Sequence, residues 1–194
     1  MKKLKRRLKF LYYYFRAHII LLFHYDKNVT RSKWFHDELY KGIASVGWKW
    51  VVVDYVQCKK NGVNLDCPWP VNPHCRIAPN YENLHFDLDD LNDFQGYGCV
   101  FQTYGHIYIG KGTFIANNVG IITANHNFHD LNQHYEPKDV RIGENCWIGM
   151  NSVILPGVCL GNNTIVGAGA IVTKSFEEGN CVIAGNPAKI IKLL

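Results

Sequence analysis

The sequence predicts a mainly β fold: a solenoid of short extended segments preceded by a helical annex. Three observations predict it. First, aliphatic residues recur at every sixth position from Ile142 to Phe176, as Ile142, Ile148, Ile154, Leu160, Val166 and Val172, and the same count runs upstream through Ile109, Ile115 and Ile121. A period of six suits neither a lone helix nor a lone strand, so each unit has to bury its aliphatic residue against copies of itself. Second, Gly143, Gly149, Gly161 and Gly167 follow four of these residues, and mostly small side chains (Cys146, Ser152, Val158, Thr164, Ala170, then Phe176) stand four places after each. Every sixth residue of an extended chain keeps one face, and stacking segments about 4.8 Å apart turns like residues into a ladder. The glycines are expected to supply bends wherever φ is positive. Third, the count breaks. Ile121 and Ile142 are 21 residues apart, not a multiple of six, so the polar stretch 127–139 has to leave the ladder as a loop. Loops held on a rigid scaffold are where function concentrates.

In chain order, residues 1–23 read as an amphipathic helix. Leu4, Leu8, Leu11, Phe15, Ile19 and Leu22 share one face, and Lys2, Arg6, Lys9, Tyr13 and Arg16 share the other. Arg16 and His18 interrupt the apolar run, which is too short to span a bilayer, and neither a clean apolar core nor a cleavage site of a secretory signal is present. Two readings of this helix stand: contact with an anionic membrane surface, or packing on the protein itself. Trp34, Phe35, Leu39 and Ile43 suggest a second helix between Thr30 and Gly47, and Trp48, Trp50, Val51, Val52, Val53 and Tyr55 read as a buried extended segment. Pro68, Pro70 and Pro73 mark an irregular entry to the solenoid. Across 77–101 early coils are expected, although the count of six is not readable there. The expected organisation is therefore an annex over 1–56, a coil domain over 57–184 with the extruded loop 127–139, and a short tail over 185–194.

The net charge of +5 is local. Seven cations lie between Lys2 and Arg16 with no acid before Asp26, leaving 14 basic against 16 acidic residues beyond. A basic arm on a neutral body argues against a nucleic-acid surface. Seven dispersed cysteines without C-x-x-C spacing suggest reduced thiols and a cytoplasmic protein.

Chemistry centres on His126, at the edge of the phase break. A neutral imidazole there can accept a proton from a hydroxyl, with Asp130 or Glu136 to orient it, or it can simply be solvated. His126, His129 and His134 fall within nine residues, which opens a zinc reading, but nothing in a loop aims three rings at one point.

Taken together, the hexads, Ile122-Thr123-Ala124-Asn125-His126, Cys146-Trp147-Ile148-Gly149, Val166-Gly167-Ala168-Gly169-Ala170 and Ala184-Gly185-Asn186-Pro187-Ala188-Lys189 resemble the hexapeptide-repeat acyltransferases, in their sugar and polysaccharide O-acetyltransferase branch. The resemblance covers about residues 100–192. It implies a left-handed parallel β-helix, a hand that the usual crossover preference would not predict, and a homotrimer with active sites between adjacent subunits. It implies His126 as general base in transfer from acetyl-CoA to a carbohydrate hydroxyl, with no metal. Trp147, Gly149 and Ala168 would line the pantetheine arm, and Thr173, Lys174 and Lys189 would meet the nucleotide phosphates. The acceptor would lie among Gln102, Tyr104, His129, His134 and Tyr135. Where relatives of the maltose and galactoside type carry an acidic pair, this chain has Gln102-Thr103-Tyr104, so their acceptor does not carry over. The basic arm, outside the resemblance, suggests an acceptor made at a membrane, such as a lipid-linked glycan or surface polysaccharide. Three rivals remain open: acetyl transfer to a small amino acid, amino sugar or antibiotic; a metal-dependent hydratase similar to γ-type carbonic anhydrases; and a silent scaffold.

Overall fold

A computed structural model describes residues 2–36 and 42–194, with side chains of the first helix described from Arg7 onward. The chain forms two compact units, Met1–Pro73 and His74–Leu194.

The first unit is built on two helices, α1 (Lys2–Leu21) and α2 (Val46–Asn61), which pack together. The face of α1 that meets α2 is made by Tyr14, Ala17, His18, Ile20 and Leu21. Tyr14 meets Trp48 edge-on with centroids 5.0 Å apart, His18 stacks on the same indole at 4.7 Å, and Ala17, Ile20 and Leu21 are buried. The apolar face expected of this helix, Leu8 through Leu22, is exposed instead.

Over its described residues the helix expected from Thr30 does not form. Two 3-10 turns stand there, Lys27–Arg31 and Lys33–Phe35, because Asp26 and Ser32 each accept the backbone N–H two residues on and start a turn from an extended conformation. Leu39, part of that expectation, lies outside the described residues. The extended segment expected over Trp48–Tyr55 is helix α2. Its β-branched run disfavours a helix by only a few tenths of a kcal/mol per residue. Burial outweighs that: Trp48, Val51, Val52 and Cys58 lie on one helical face and are buried. Gly47 lets the ring of Phe35 sit against the helix, and Gly62 ends it in the left-handed conformation at φ +68°.

The second unit is three sheets, parallel except for the last strand, that the chain visits in rotation. One holds β1 (Arg76–Pro79), β3 (Val100–Thr103), β6 (Gly120–Ile122), β9 (Val153–Ile154) and β12 (Ile171–Val172). The second holds β2 (Leu84–His85), β4 (Ile107–Ile109), β7 (Val140–Ile142) and β10 (Cys159–Leu160). The third holds β5 (Phe114–Ile115), β8 (Trp147–Ile148), β11 (Thr164–Val166), β13 (Cys181–Gly185) and β14 (Ala188–Leu193). The register is the count of six made physical: Ile109 faces Ile142 and then Leu160, Ile115 faces Ile148 and then Val166, and Ile121 faces Ile154 and then Val172. All nine are buried.

In the first turn of this unit the third side is no strand but a 3-10 segment, Leu88–Phe94, which is why no count of six is readable there. Asp90 and Asp93 accept the N–H groups of Gly112 and Ile115 at 2.8 and 3.1 Å, doing the work of a missing strand edge, while Leu91 and Phe94 fill the core. At the other end the expected tail is β14, which returns antiparallel onto β13. The glycines that follow the ladder residues, Gly143, Gly149, Gly161 and Gly167, do not have positive φ. That conformation falls to Asn118, Asn145, Asn151, Asn163 and Asn180, and to other glycines such as Gly169. All seven cysteines are free thiols, and among the described residues no helix is long and apolar enough to cross a membrane.

Candidate active site

One coil is longer than its neighbours. Ile109 pairs with Ile142, 33 residues on, whereas Ile142 pairs with Leu160 only 18 residues on. The surplus leaves from the end of β6 as an excursion that folds back on itself. Asn127 N–H donates to Gln133 O at 2.8 Å, Tyr135 N–H to Asn125 O at 2.9 Å, and Lys138 N–H to Thr123 O at 2.8 Å. This pairing sets His126 opposite His134, with ring centroids 4.2 Å apart, and the Tyr104 ring lies 5.2 Å beyond His134.

The tautomer of His126 follows from its partner. Nδ1 lies 2.8 Å from Leu131 O, and a carbonyl can only accept, so Nδ1 carries a proton, and in the neutral ring Nε2 is the nitrogen with the lone pair. His126 is exposed as a residue. The group orienting the imidazole is thus main chain, where the sequence offered Asp130 or Glu136. Asp130 acts one step back: its carboxylate accepts Asn132 N–H at 3.0 Å and its carbonyl accepts Gln133 N–H at 3.0 Å, shaping the turn that presents Leu131 O. Glu136 is exposed on the returning arm.

Gln102 sits beneath this segment. Its Oε1 accepts N–H bonds from Thr123 and Ala124 at 3.1 and 3.0 Å, and its carbonyl accepts the Thr123 hydroxyl at 2.6 Å. It is placed to hold the main chain leading into His126 as well as to face an acceptor. Gln102→Leu should therefore lower stability by about 1–3 kcal/mol through two N–H groups left without a partner, whereas Gln102→Glu, which keeps an acceptor, should lose less; thermal melting of the two variants checks this. Next to Gln102 and Tyr104 opens a cleft of about 390 Å³, lined by Arg76, Ala78, Pro79, Val100 and Phe101. Phe128 and Tyr135 cross edge-on at 5.5 Å on the loop, and His129 donates its N–H to Asn127 Oδ1.

Beside the loop's base lies a cluster that the sequence did not reveal. His85 Nε2 is 2.9 Å from His106 Nδ1, His85 stacks on Tyr108 at 4.6 Å, and the Arg141 guanidinium lies 4.0 Å over Tyr108. Asp139 accepts the His106 main-chain N–H and pairs with Arg141 at 3.3 Å. Burial first, and the His106 charge second, push the His85 imidazole below its ordinary value. These residues share a face only through the pairing of β2, β4 and β7, and no fixed spacing announces it.

The residues expected for a thioester co-substrate lie mainly at another corner. Trp147 is half-exposed on β8, Gly149 N–H donates to Val166 O at 2.8 Å, and a Cβ on Gly149 would fall 2.7 Å from Ala168 N. One coil on, Gly167 packs against Ala184, and Ala184 pairs with Lys189. Trp147, Gly149, Ala168 and Lys189 thus follow one edge where the third sheet turns into the first. Thr173 and Lys174 are exposed where the first sheet turns toward the second, the same edge that carries Tyr104 and the His126 loop. Among the described residues no group of three His, Cys, Asp or Glu side chains is arranged to hold a metal ion.

Residues 139–174 match the family model for the bacterial transferase hexapeptide (six repeats). The chain is 46% identical over 125 residues to a protein of Dictyostelium discoideum provisionally named an acetyltransferase, covering 63% of each chain. It is 37% identical over 113 residues to a similarly named protein of Schizosaccharomyces pombe, covering 57% of this chain and 53% of that one, so the chain spans about half the length of that relative. Among solved structures it is similar to a maltose O-acetyltransferase from Clostridium difficile, with 34% identity, 58% of this chain and 59% of that chain covered, and a TM-score of 0.49.

Proposed function

We propose that this chain, which carries the hexapeptide repeat of the bacterial transferases over residues 139–174, folds as a left-handed parallel β-helix and transfers an acetyl group from acetyl-CoA to a carbohydrate hydroxyl. The observation that carries the reading is the bond from His126 Nδ1–H to Leu131 O, which leaves Nε2 as a base on an exposed loop. Nε2 takes the proton of the acceptor hydroxyl as its oxygen attacks the thioester carbonyl carbon. The tetrahedral intermediate collapses by breaking the C–S bond, and the imidazolium returns the proton to the departing thiolate. A thiol is acidic enough to leave without metal assistance. The acetyl group is supported by the provisional names of the relatives. The sugar is supported by the exposed rings of Tyr104, Phe128 and Tyr135 around the histidine pair, since flat aromatic faces suit the apolar faces of pyranose rings.

The two groups of residues stand on different edges of the coil, which supports a site completed by a second subunit: His126, Gln102 and Tyr104 from one, Trp147, Gly149 and Ala168 from the next. A homotrimer supplies that arrangement three times. Phe114 and Trp147, paired in register and 60% and 55% exposed on the third sheet, give such an assembly an apolar face to cover. The protein is then a cytoplasmic enzyme whose acceptor is a surface-polysaccharide or lipid-linked glycan precursor.

The test is release of free thiol from acetyl-CoA across a panel of oligosaccharides, amino sugars and small amines. Turnover should require a sugar hydroxyl, with product mass higher by one acetyl group and the new ester cleaved by mild base. Transfer only to amines, or carbon dioxide hydration without thiol release, would sink this reading.

A further inference from the structure

We propose that the outward face of α1 docks the protein on an anionic lipid membrane. The helix carries two apolar faces, not one. At about 100° per residue, Tyr14, Ala17, Ile20 and Leu21 project opposite to Leu8, Leu11, Tyr12, Phe15 and Ile19, and Leu22 extends the second set in the turn just past the helix. The first set accounts for the packing on α2. The second set is surplus to the fold: Leu8 is 57% exposed, Phe15 63%, Ile19 61% and Leu22 60%. These side chains form a stripe about 22 Å long and about 100° wide, too extended to be scattered surface residues.

The charge beside the stripe selects the occupant. Arg7, Lys9 and Arg16 are exposed along its margins, and the sequence places Lys2, Lys3, Lys5 and Arg6 on the same helix with no acid before Asp26. A second copy would bring seven further cations into the contact, which disfavours self-association through this face. An anionic bilayer meets both demands, taking the stripe into the boundary between headgroups and acyl chains and the cations among phosphates. The helix lies in the interface and does not span it, in keeping with its arginines and lysines. The inference rests on α1 alone and stands whether or not the acetyl-transfer reading holds.

The test is co-sedimentation of the full chain with vesicles of phosphatidylcholine alone or with about 30% phosphatidylglycerol. Binding should be at least tenfold stronger to the anionic vesicles and should fall when salt rises from about 50 to about 500 mM. Phe15→Glu with Ile19→Glu should abolish it, and Lys9→Glu or Arg16→Glu should each weaken it about fivefold or more. All four residues are exposed, so melting temperatures should not change, and thermal melting checks that. The proposal is overturned if the wild type stays in solution with anionic vesicles, or if the Phe15→Glu, Ile19→Glu variant sediments as well as the wild type. It is equally overturned if the wild type ignores vesicles and forms a larger assembly that this variant loses, because the face then covers a second copy.

Discussion

Replacing His126 with alanine should lower kcat for acetyl transfer by about a hundredfold to ten-thousandfold, the range a positioned general base contributes. The KM for acetyl-CoA should change little, because the residues proposed to line its pantetheine arm, Trp147, Gly149 and Ala168, are held by the coil and not by the His126 ring. Melting should also change little, since the ring is exposed on a loop held by its own main chain. The loop offers a sharper discrimination through Asp130. Its carboxylate accepts Asn132 N–H and so shapes the turn that presents Leu131 O to His126. Asp130→Asn keeps an acceptor and should remain within a few-fold of wild type, while Asp130→Ala should lose about tenfold through a misdirected imidazole. Steady-state kinetics on the three variants reads these effects. An Asp130→Asn loss as large as that of His126→Ala would mean that the carboxylate acts on the ring directly, and the tautomer assigned through Leu131 would be wrong.

What the sequence made legible follows from where each signal comes from. The ladder was readable because burial against like residues forces a fixed spacing, and all nine predicted positions are buried. The excursion was readable for the same reason, as an error in the count. His126 itself could be placed at its edge, but the partner of Nδ1 could not, since a main-chain carbonyl has no residue-type signature. The early coil was hidden because Asp90 and Asp93 replace strand edges with carboxylates. Helix α2 was misread because three consecutive valines carry a β preference, and only Trp48, Phe35 and Gly47 together reveal a packed helical face. The cluster of His85, His106, Tyr108 and Arg141 needed the pairing of three strands before it could be seen at all.

The glycines mark the largest revision, and they carry the largest expected loss of stability. A Cβ on Gly143 would sit 2.6 Å from Asn162 N and 2.7 Å from the carbonyl carbon of Gly161, both main-chain atoms of the next coil. Neither can rotate away, so Gly143→Ala has to push two coils apart. The cost should reach about 3 kcal/mol, near the upper end of overpacking effects, and lower the melting temperature by about 6–12 °C in a chain of this size. Gly169 has the opposite environment. It holds φ at +72° with nothing within 4 Å of an added Cβ. Gly169→Ala should therefore cost only about 1–2 kcal/mol, for backbone strain alone. Gly169→Asn should cost less still, because asparagine already occupies that conformation at Asn118, Asn145, Asn151, Asn163 and Asn180. Thermal melting of the three variants orders them. If Gly143→Ala proved no more damaging than Gly169→Ala, the coils would have room for a side chain at Gly143; the expected order means that this glycine is there because the coils stack too closely for one.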